Sequence, residues 1–289
     1  NFSSMFSGCR LLSSVPLFDL SAGLFFTGMF NNCQGMEYIP DFNVKSGTDF
    51  TSMFSSCSSL KVAPNLNFTA AGINCTTMFQ NCSNLKTIPF YNTATVTNMN
   101  NMFANCYGLR KVPDLNTALV TDFSGMFSFC SSLESVPNLN TSSGTQFTGM
   151  FSSCLKLQEI PALDTSKATG LTSMFANCVS LTTVPQLNLA KATQTGSMFS
   201  GCQSLTTLPS TTSINLPGTT TNASAVIAMS DTTGVVVGMA VYGQNIPANA
   251  IVSSIVPSTS VTISAAATAA GTVLVSFVPY WCVRGSTIA

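Results

Sequence analysis

A Met-Phe pair recurs nine times in this 289-residue chain, and its regular spacing constrains the fold more than any other feature. Successive pairs are 24 residues apart, except for one step of 25. The pairs begin at Met5, Met29, Met53, Met78, Met102, Met126, Met150, Met174 and Met198. A fixed period of this length is typical of stacked repeats, in which each unit buries its apolar side against its neighbours.

Each repeat continues with apolar residues in a constant order. A Cys follows the Phe by three residues, a Leu (once Met36) follows the Cys by three, and an apolar residue and a Pro complete the unit. From Phe123 to Cys130 the apolar residues have the i, i+3, i+4, i+7 spacing that predicts a short helix. The segment after it predicts a short strand that stops near Pro137, because Pro lacks an N–H group.

An Asn or Asp follows the Pro by three residues in most repeats. This column contains Asp19, Asn43, Asn67, Asn92, Asn116, Asn140, Asp164 and Asn188. Asn and Asp side chains accept hydrogen bonds from backbone N–H groups two residues further on, which stabilises tight turns. We therefore expect a turn at this position in each repeat.

The pattern MF-x-x-C-x-x-L-x-x-[VI]-P-x-L-[DN]-T resembles the BspA-type leucine-rich repeats of surface proteins over residues 1–209. The resemblance implies a leucine-rich-repeat-like solenoid of nine turns, with a short strand and a short helix in each turn. It also implies a surface or secreted protein linked to adhesion, and it brings no catalytic residues. We take this as the predicted fold class.

The repeat stops after Pro209 and a different composition follows. Residues 210–222 are rich in Thr and Ser and predict a linker or cap, and 223–289 predict a small all-β module of about five short strands. The run TTGVVVGMAVYGQNIPANAIVSSIVPSTSVTISAAATAAGT resembles a small β module of phage and other virion appendage proteins. That resemblance implies a virion setting.

Composition excludes several classes of function. Ten basic and ten acidic residues balance, and only 7% of the chain is charged, so nothing favours binding to nucleic acid or to an anionic membrane. The apolar stretches are too short and too interrupted to span a bilayer. The chain contains no His, which removes the commonest general base and the commonest metal ligand. We expect no enzyme activity, no cofactor and no metal site.

Nine of the eleven cysteines occupy one column of the repeat. Neighbouring repeats then place parallel Cβ atoms too far apart for disulfides, so we predict buried free thiols that act as small hydrophobic residues. No CxxC or Cys/His pair indicates a metal. Cys75 replaces a core Phe, and Cys282 stands apart from the repeat.

The two positions between the Leu and the next apolar residue are predicted to point outward, and we call these positions the strip. Among their occupants are Glu37, Tyr38, Lys61, Lys86, Arg110, Lys111, Glu134, Gln158 and Glu159. Two interpretations stay open. The strip is a solvated face kept soluble by charge, or it is a contact surface for a partner protein or glycan, with the basic centre from Lys61 to Lys111 as its anchor.

Three non-enzymatic functions follow from these features. The first is a structural or adhesion protein of a virion appendage, and the alternatives are a bacterial cell-surface adhesin and a self-assembling extracellular filament subunit. All three place the protein outside the cell, on a virion or cell surface. The low charge and the exposed ends of a repeat stack also predict a homo-oligomer, whose partners are a neighbouring subunit or a host protein or glycan.

Overall fold

The structure is a computed structural model, and it describes residues 1–189, 191–206, 214–232, 235, 239–248 and 250–278. The described residues form two separate hydrophobic cores. We call residues 1–206, which hold the first core, the coil stack. Residues 214–278, which hold the second, are called the barrel.

Successive repeats of the coil stack lie on one another as coils joined by parallel backbone hydrogen bonds. The N–H group of Phe127, for example, donates to the carbonyl of Met150 at 2.9 Å. Two coils pair through the short strands β1 (Ile73–Asn74) and β2 (Val96–Asn98), which are parallel. Other coils meet at isolated parallel bridges such as Phe25 to Asp49.

The predicted fold class, a leucine-rich-repeat-like solenoid with a short strand and a short helix in every turn, is wrong. The residues that the structure describes contain no helix. The segment expected to be helical, Phe123 to Cys130, consists of tight turns, such as the one closed by the Met126 N–H and the Phe123 carbonyl at 3.2 Å. Gly125 and Phe129 have φ angles of 61° and 60°. A helix needs negative φ at every residue, so these two residues prevent one.

The same departure from helical geometry occurs in every coil, four residues apart. The first position with positive φ holds Ser4, Gly28, Ser52, Thr77, Asn101, Gly125, Gly149, Ser173 and Ser197. The second, which we call the left-handed column, holds Gly8, Asn32, Ser56, Asn81, Asn105, Phe129, Ser153, Asn177 and Gly201. Gly and Asn are the residues that tolerate this conformation best. A series of such turns produces the same spacing of apolar residues as a helix.

The prediction of a strand in every turn is also wrong, because most coils have no strand at this position. Around the strip the coils contact each other through isolated bridges only, such as Val62 to Thr87 and Lys111 to Ser135. The segment between the core Leu and the Pro is too short for a longer ladder, and the Pro has no N–H to contribute.

The prediction that the Met, Phe, Cys and Leu columns point inward is confirmed in the middle of the coil stack. From Met29 to Cys178 the Met, Phe and Cys of these columns have 0% of their surface exposed. The Phe rings that follow the Met residues stack from Phe6 to Phe199, with centroids 5.3 to 5.8 Å apart. In the first coil, by contrast, Met5 is 53% exposed.

The described cysteines are free, and eight of them are buried as predicted, whereas Cys9 is exposed and Cys202 is partly buried. Cys282 lies outside the described residues. From Cys33 to Cys202 the thiol of the repeat Cys donates to a Phe carbonyl of the preceding coil at 3.0 to 3.2 Å. The predicted Asn and Asp turns are present at six of the eight positions, whereas Asn67 accepts the N–H of Val44 on the preceding coil instead. The Asn140 side chain, for example, accepts the N–H of Ser142 at 3.1 Å.

The barrel is a six-stranded antiparallel sheet with the strand order β5-β8-β3-β4-β7-β6. A bridge between Ala240 and Ile251 joins its two ends, so the sheet is nearly closed. Its strands are β3 (Ile214–Thr220), β4 (Val226–Met229), β5 (Ala240–Tyr242), β6 (Val252–Val256), β7 (Ser260–Ile263) and β8 (Gly271–Val278). Most of the segment predicted to be a linker is therefore β3, which pairs with β8 and β4 inside the sheet.

No helix within the described residues is long and apolar enough to cross a membrane.

Candidate binding site

The strip lies on the surface of the coil stack between two buried columns. Arg110 and Lys111 are exposed, whereas Leu109 before them and Val112 after them are 0% and 8% exposed. The other residues predicted in the strip are exposed too, except Lys61, which is half-buried. The backbone of each coil holds these side chains outward because its neighbours on both sides are fixed in the core.

The first part of the strip is occupied by contacts within the chain. The Lys61 Nζ lies 2.6 Å from a carboxylate oxygen of Glu37 and 5.9 Å from the centre of the Tyr38 ring. The hydrogen bond from Lys61 to Glu37 raises the pKa of the Lys61 ammonium. Lys61 is therefore paired within the chain, and its place in the predicted basic centre stays a prediction.

The middle of the strip forms a cavity of about 900 Å³. Lys86, Arg110 and Lys111 line it from two neighbouring coils, and Glu134 lines it from the next. No ion pair involves these three cations within the described residues. The volume lies in the range typical of small-ligand sites. We call this feature the cationic cavity.

The cationic cavity coincides with an interruption of the backbone ladder. The Lys86 N–H donates to the Lys61 carbonyl at 2.9 Å, and the Glu134 N–H donates to the Arg110 carbonyl at 2.9 Å. Between these two steps, no backbone hydrogen bond joins 86–88 to 110–112 in the described chain. The Arg110 N–H and the Lys86 carbonyl are therefore left for solvent or a ligand.

The charges of the cationic cavity favour an anion. Three cations face one carboxylate, in a chain where the total charge is zero and charged residues are 7%. Arg forms paired hydrogen bonds with carboxylate, sulfate or phosphate oxygens, and Lys contributes a mobile ammonium group. Of the remaining predicted strip residues, Gln158 and Glu159 are exposed but do not line the cavity.

Sequence reasoning missed several lining residues that carry no charge, among them Thr87, Gly108 and Ser132. Gly108 allows two coils to approach closely, because a Cβ atom there lies 3.1 Å from the carbonyl oxygen of Leu85. The signal available in the sequence was weak, since this position of the repeat also accepts Ser, Asn and Lys.

Other chemistry is not indicated by the described residues. They contain no group of three or more His, Cys, Asp or Glu side chains placed to hold a metal ion. Burial raises the pKa of the Cys57 and Cys130 thiols to about 12. These thiols are therefore neutral near pH 7 and are poor nucleophiles, because the thiolate is the reactive form.

The comparison with known families decides the affiliation of the coil stack. The family described as "Mycoplasma protein of unknown function, DUF285" matches residues 1–112, 73–182 and 107–212. The chain belongs to the DUF285 family. The DUF285 matches cover the coil stack with its cationic cavity, and they end before most of the barrel. No curated protein and no solved structure is significantly similar to the chain.

Proposed function

We propose that this DUF285 protein is a non-enzymatic binding protein of a surface, and that the cationic cavity is its contact site for an anionic partner. The observation that carries the proposal is the gathering of Lys86, Arg110 and Lys111, without ion-pair partners in the described chain, around a cavity of about 900 Å³. A face kept soluble by charge does not require its cations to converge on a cavity. Convergent charge in a concave site is typical of ligand recognition.

The absence of His from the sequence supports a non-enzymatic role, because no imidazole can act as a general base. The titratable groups of the strip within the described residues are Lys, Arg, Glu and Tyr on an open surface. Repeat stacks commonly provide extended binding faces in which the core fixes the positions of exposed side chains. The coil stack has this organisation.

The setting that we propose is a cell surface, as an adhesin. The resemblance to BspA-type surface proteins and the mention of Mycoplasma in the DUF285 description support this setting over a virion appendage. A homo-oligomer remains part of the proposal, supported by the low charge of the chain.

A bead-binding assay with the full chain tests this function. The probes are beads coated with dextran sulfate, with polyglutamate or with uncharged dextran. The triple variant Lys86→Ser, Arg110→Ser, Lys111→Ser is expected to lose retention on both anionic beads by about tenfold or more, because a charge-assisted contact is worth about 1.5–3 kcal/mol.

The matched control removes three exposed cations from outside the cavity, in the variant Lys45→Ser, Lys167→Ser, Lys191→Ser. This control is expected to bind like the unchanged chain. An equal loss of retention in both triple variants shows only a general attraction between opposite charges and contradicts the proposal. Failure of the unchanged chain to bind either anionic bead contradicts it too.

A further inference from the structure

The lining of the cationic cavity contains two hydrogen-bond acceptors as well as its three cations. Glu134 contributes a carboxylate, and Lys86 contributes a carbonyl that has no backbone hydrogen-bond partner among the described residues. An ionised carboxylate and a carbonyl accept hydrogen bonds and donate none. Both therefore repel an anion that has no proton to donate. A site that only attracts negative charge has no need of either group.

The carboxylate of Glu134 is not held by the cations around it. Elsewhere in the strip a Glu and a Lys on neighbouring coils do pair, since the Glu37 carboxylate lies 2.6 Å from the Lys61 Nζ. Glu134 shares the cavity with three cations, yet in the described chain none of their nitrogen atoms lies within 4.0 Å of its carboxylate. A ligand can therefore lie between them, with the cations on one side and the carboxylate on the other.

The other polar groups of the cavity can donate hydrogen bonds. They are the side chains of Lys86, Arg110 and Lys111, the unpaired N–H of Arg110, and the hydroxyls of Thr87 and Ser132. A ligand with several anionic oxygens needs several such donors, and a proton on one of those oxygens needs an acceptor. The cavity has both kinds of group.

We propose that the cationic cavity binds a phosphate group that carries a proton, either as the hydrogen phosphate ion or at the end of a phosphate monoester. This inference rests on the proposed function and names the anionic group of its partner. The oxygens of the phosphate accept from the Arg and Lys side chains, and its O–H donates to the carboxylate of Glu134. Sulfate and carboxylate groups have no O–H near neutral pH, so Glu134 disfavours both. The volume of about 900 Å³ also leaves room for a molecule larger than the ion.

Equilibrium dialysis of the full chain with radiolabelled phosphate or sulfate tests the inference slightly above neutral pH. There, hydrogen phosphate and sulfate have the same tetrahedral shape and the same charge, and only hydrogen phosphate has an O–H group. Phosphate is expected to bind about tenfold more tightly than sulfate or better, because a hydrogen bond to a charged acceptor replaces a repulsion. Equal binding of the two ions, or tighter binding of sulfate, overturns the inference.

Glycerol 3-phosphate distinguishes a free ion from a monoester. Below its second pKa of about 6, a phosphate monoester carries an O–H group. Dialysis at about pH 5.5 therefore compares glycerol 3-phosphate with inorganic phosphate while both carry a proton. Similar binding of the two supports a phosphate group on a larger partner, and binding of inorganic phosphate alone supports the free ion.

Glu134→Gln tests whether Glu134 accepts the proton. The amide of Gln has a similar size, but it is neutral and adds an N–H donor. Sulfate binding is expected to tighten and phosphate binding to weaken, so that the preference for phosphate falls to about twofold or less. Glu159→Gln is the matched control, because Glu159 is an exposed residue of the strip outside the cavity, and it is expected to keep the full preference. A preference that Glu134→Gln leaves unchanged overturns the inference.

The triple variant Lys86→Ser, Arg110→Ser, Lys111→Ser separates this inference from the proposed function. It is expected to lose both ions, because the cations hold either one. If the triple variant loses both ions but the unchanged chain binds them equally, the anion site stands and only the phosphate assignment fails. If the unchanged chain binds neither ion but is retained on the anionic beads, the phosphate assignment fails as well.

Discussion

The backbone hydrogen bonds of the coil stack and of the barrel join residues at different separations along the sequence. In the coil stack the backbone of one coil bonds to the next coil, as Phe127 does to Met150, so each coil depends on its two neighbours. In the barrel, β3 pairs with β8 across more than 50 residues, as Gly218 does with Val273. The coil stack repeats the same pairing between neighbouring coils, whereas the barrel forms only when segments far apart in the sequence pair with each other. A substitution within one coil therefore directly affects only the contacts with its two neighbours.

The two cores also differ in the side chains that they bury. The coil stack buries a column of thiols in addition to its Met and Phe columns, whereas residues 214–278 contain no Cys. The coil stack also holds the cationic cavity. Four changes, in decreasing order of expected effect, test whether the two regions differ in this way.

Alkaline pH is expected to unfold the coil stack. Burial raises the pKa of Cys57 and Cys130 from the ordinary value of 9.0 to about 12. Above pH 9 the unfolded chain releases these protons while the folded chain retains them, so stability is lost as pH rises from 9 toward 12. Each thiol contributes a loss of about 1.4 kcal/mol per pH unit in this window, and the eight buried thiols act together.

Urea titrations followed by circular dichroism at about pH 8 and about pH 10 measure this loss. Cys106→Ala, which removes one buried thiol, is expected to reduce the difference in stability between these two pH values by about 1.4 kcal/mol, because only the pH unit above 9 contributes. The barrel has no thiol among its described residues and is not expected to show this dependence. A coil stack equally stable at both pH values contradicts the account.

Removing one ring from the Phe column is expected to have the next largest effect. Phe127 is fully buried, and its ring centroid lies 5.8 Å from that of Phe103 and 5.7 Å from that of Phe151. Phe127→Ala is expected to lower the free energy of unfolding by about 3–5 kcal/mol, because the stack cannot close around the cavity. Ser131→Ala, in the same coil, is the control and is expected to change it by less than about 0.5 kcal/mol. If Phe127→Ala and Ser131→Ala change the free energy of unfolding by similar amounts, the stacked Phe core is ruled out.

Much of the coil stack follows from the sequence, and the reasons can be named. The fixed period predicts stacked coils with buried Met, Phe and Cys columns, since only residues that repeat in phase can share a core. The helix prediction failed because successive turns and a helix give the same apolar spacing. Gly125 and its equivalents, with Gly, Ser or Asn in most coils, were the available warning.

Other parts could not be predicted from the sequence. The basic centre of the strip was recognised, but the cavity was not, because its lining comes from three coils and no local pattern encodes how these coils lie against each other. In the barrel, the Thr-rich composition and Pro217 favoured a linker over the strand β3. Its pairing with β8 depends on residues far along the chain.

Relieving the left-handed conformation at Phe129 is expected to stabilise the coil stack slightly. Phe129→Asn should raise the free energy of unfolding by about 1 kcal/mol, because a bulky residue at positive φ costs about 1–2 kcal/mol. The reverse change at the equivalent position, Ser153→Phe, should lower it by a similar amount. Denaturant titration measures both, and a destabilising Phe129→Asn shows that the ring stabilises the coil stack more than its strained backbone costs.

The smallest expected effect concerns the charge balance of the cationic cavity. Glu134 is the one carboxylate among the residues that line it in the described chain. Glu134→Gln removes its repulsion of an anion, which is worth about 1 kcal/mol or less at an exposed site, so binding of dextran sulfate should tighten about two- to fivefold. Glu159→Gln, outside the cavity, is the control. Weaker binding by Glu134→Gln indicates that Glu134 contacts the ligand directly.

Hydrogen exchange of the full chain with and without dextran sulfate tests whether the cationic cavity is the contact site. We expect slower exchange at the amides of 108–112 and 129–134 in the coil stack, because the ligand occupies the interrupted ladder between these coils. Amides in the barrel should exchange as before. Protection confined to the barrel, or spread evenly over the coil stack, contradicts the claim.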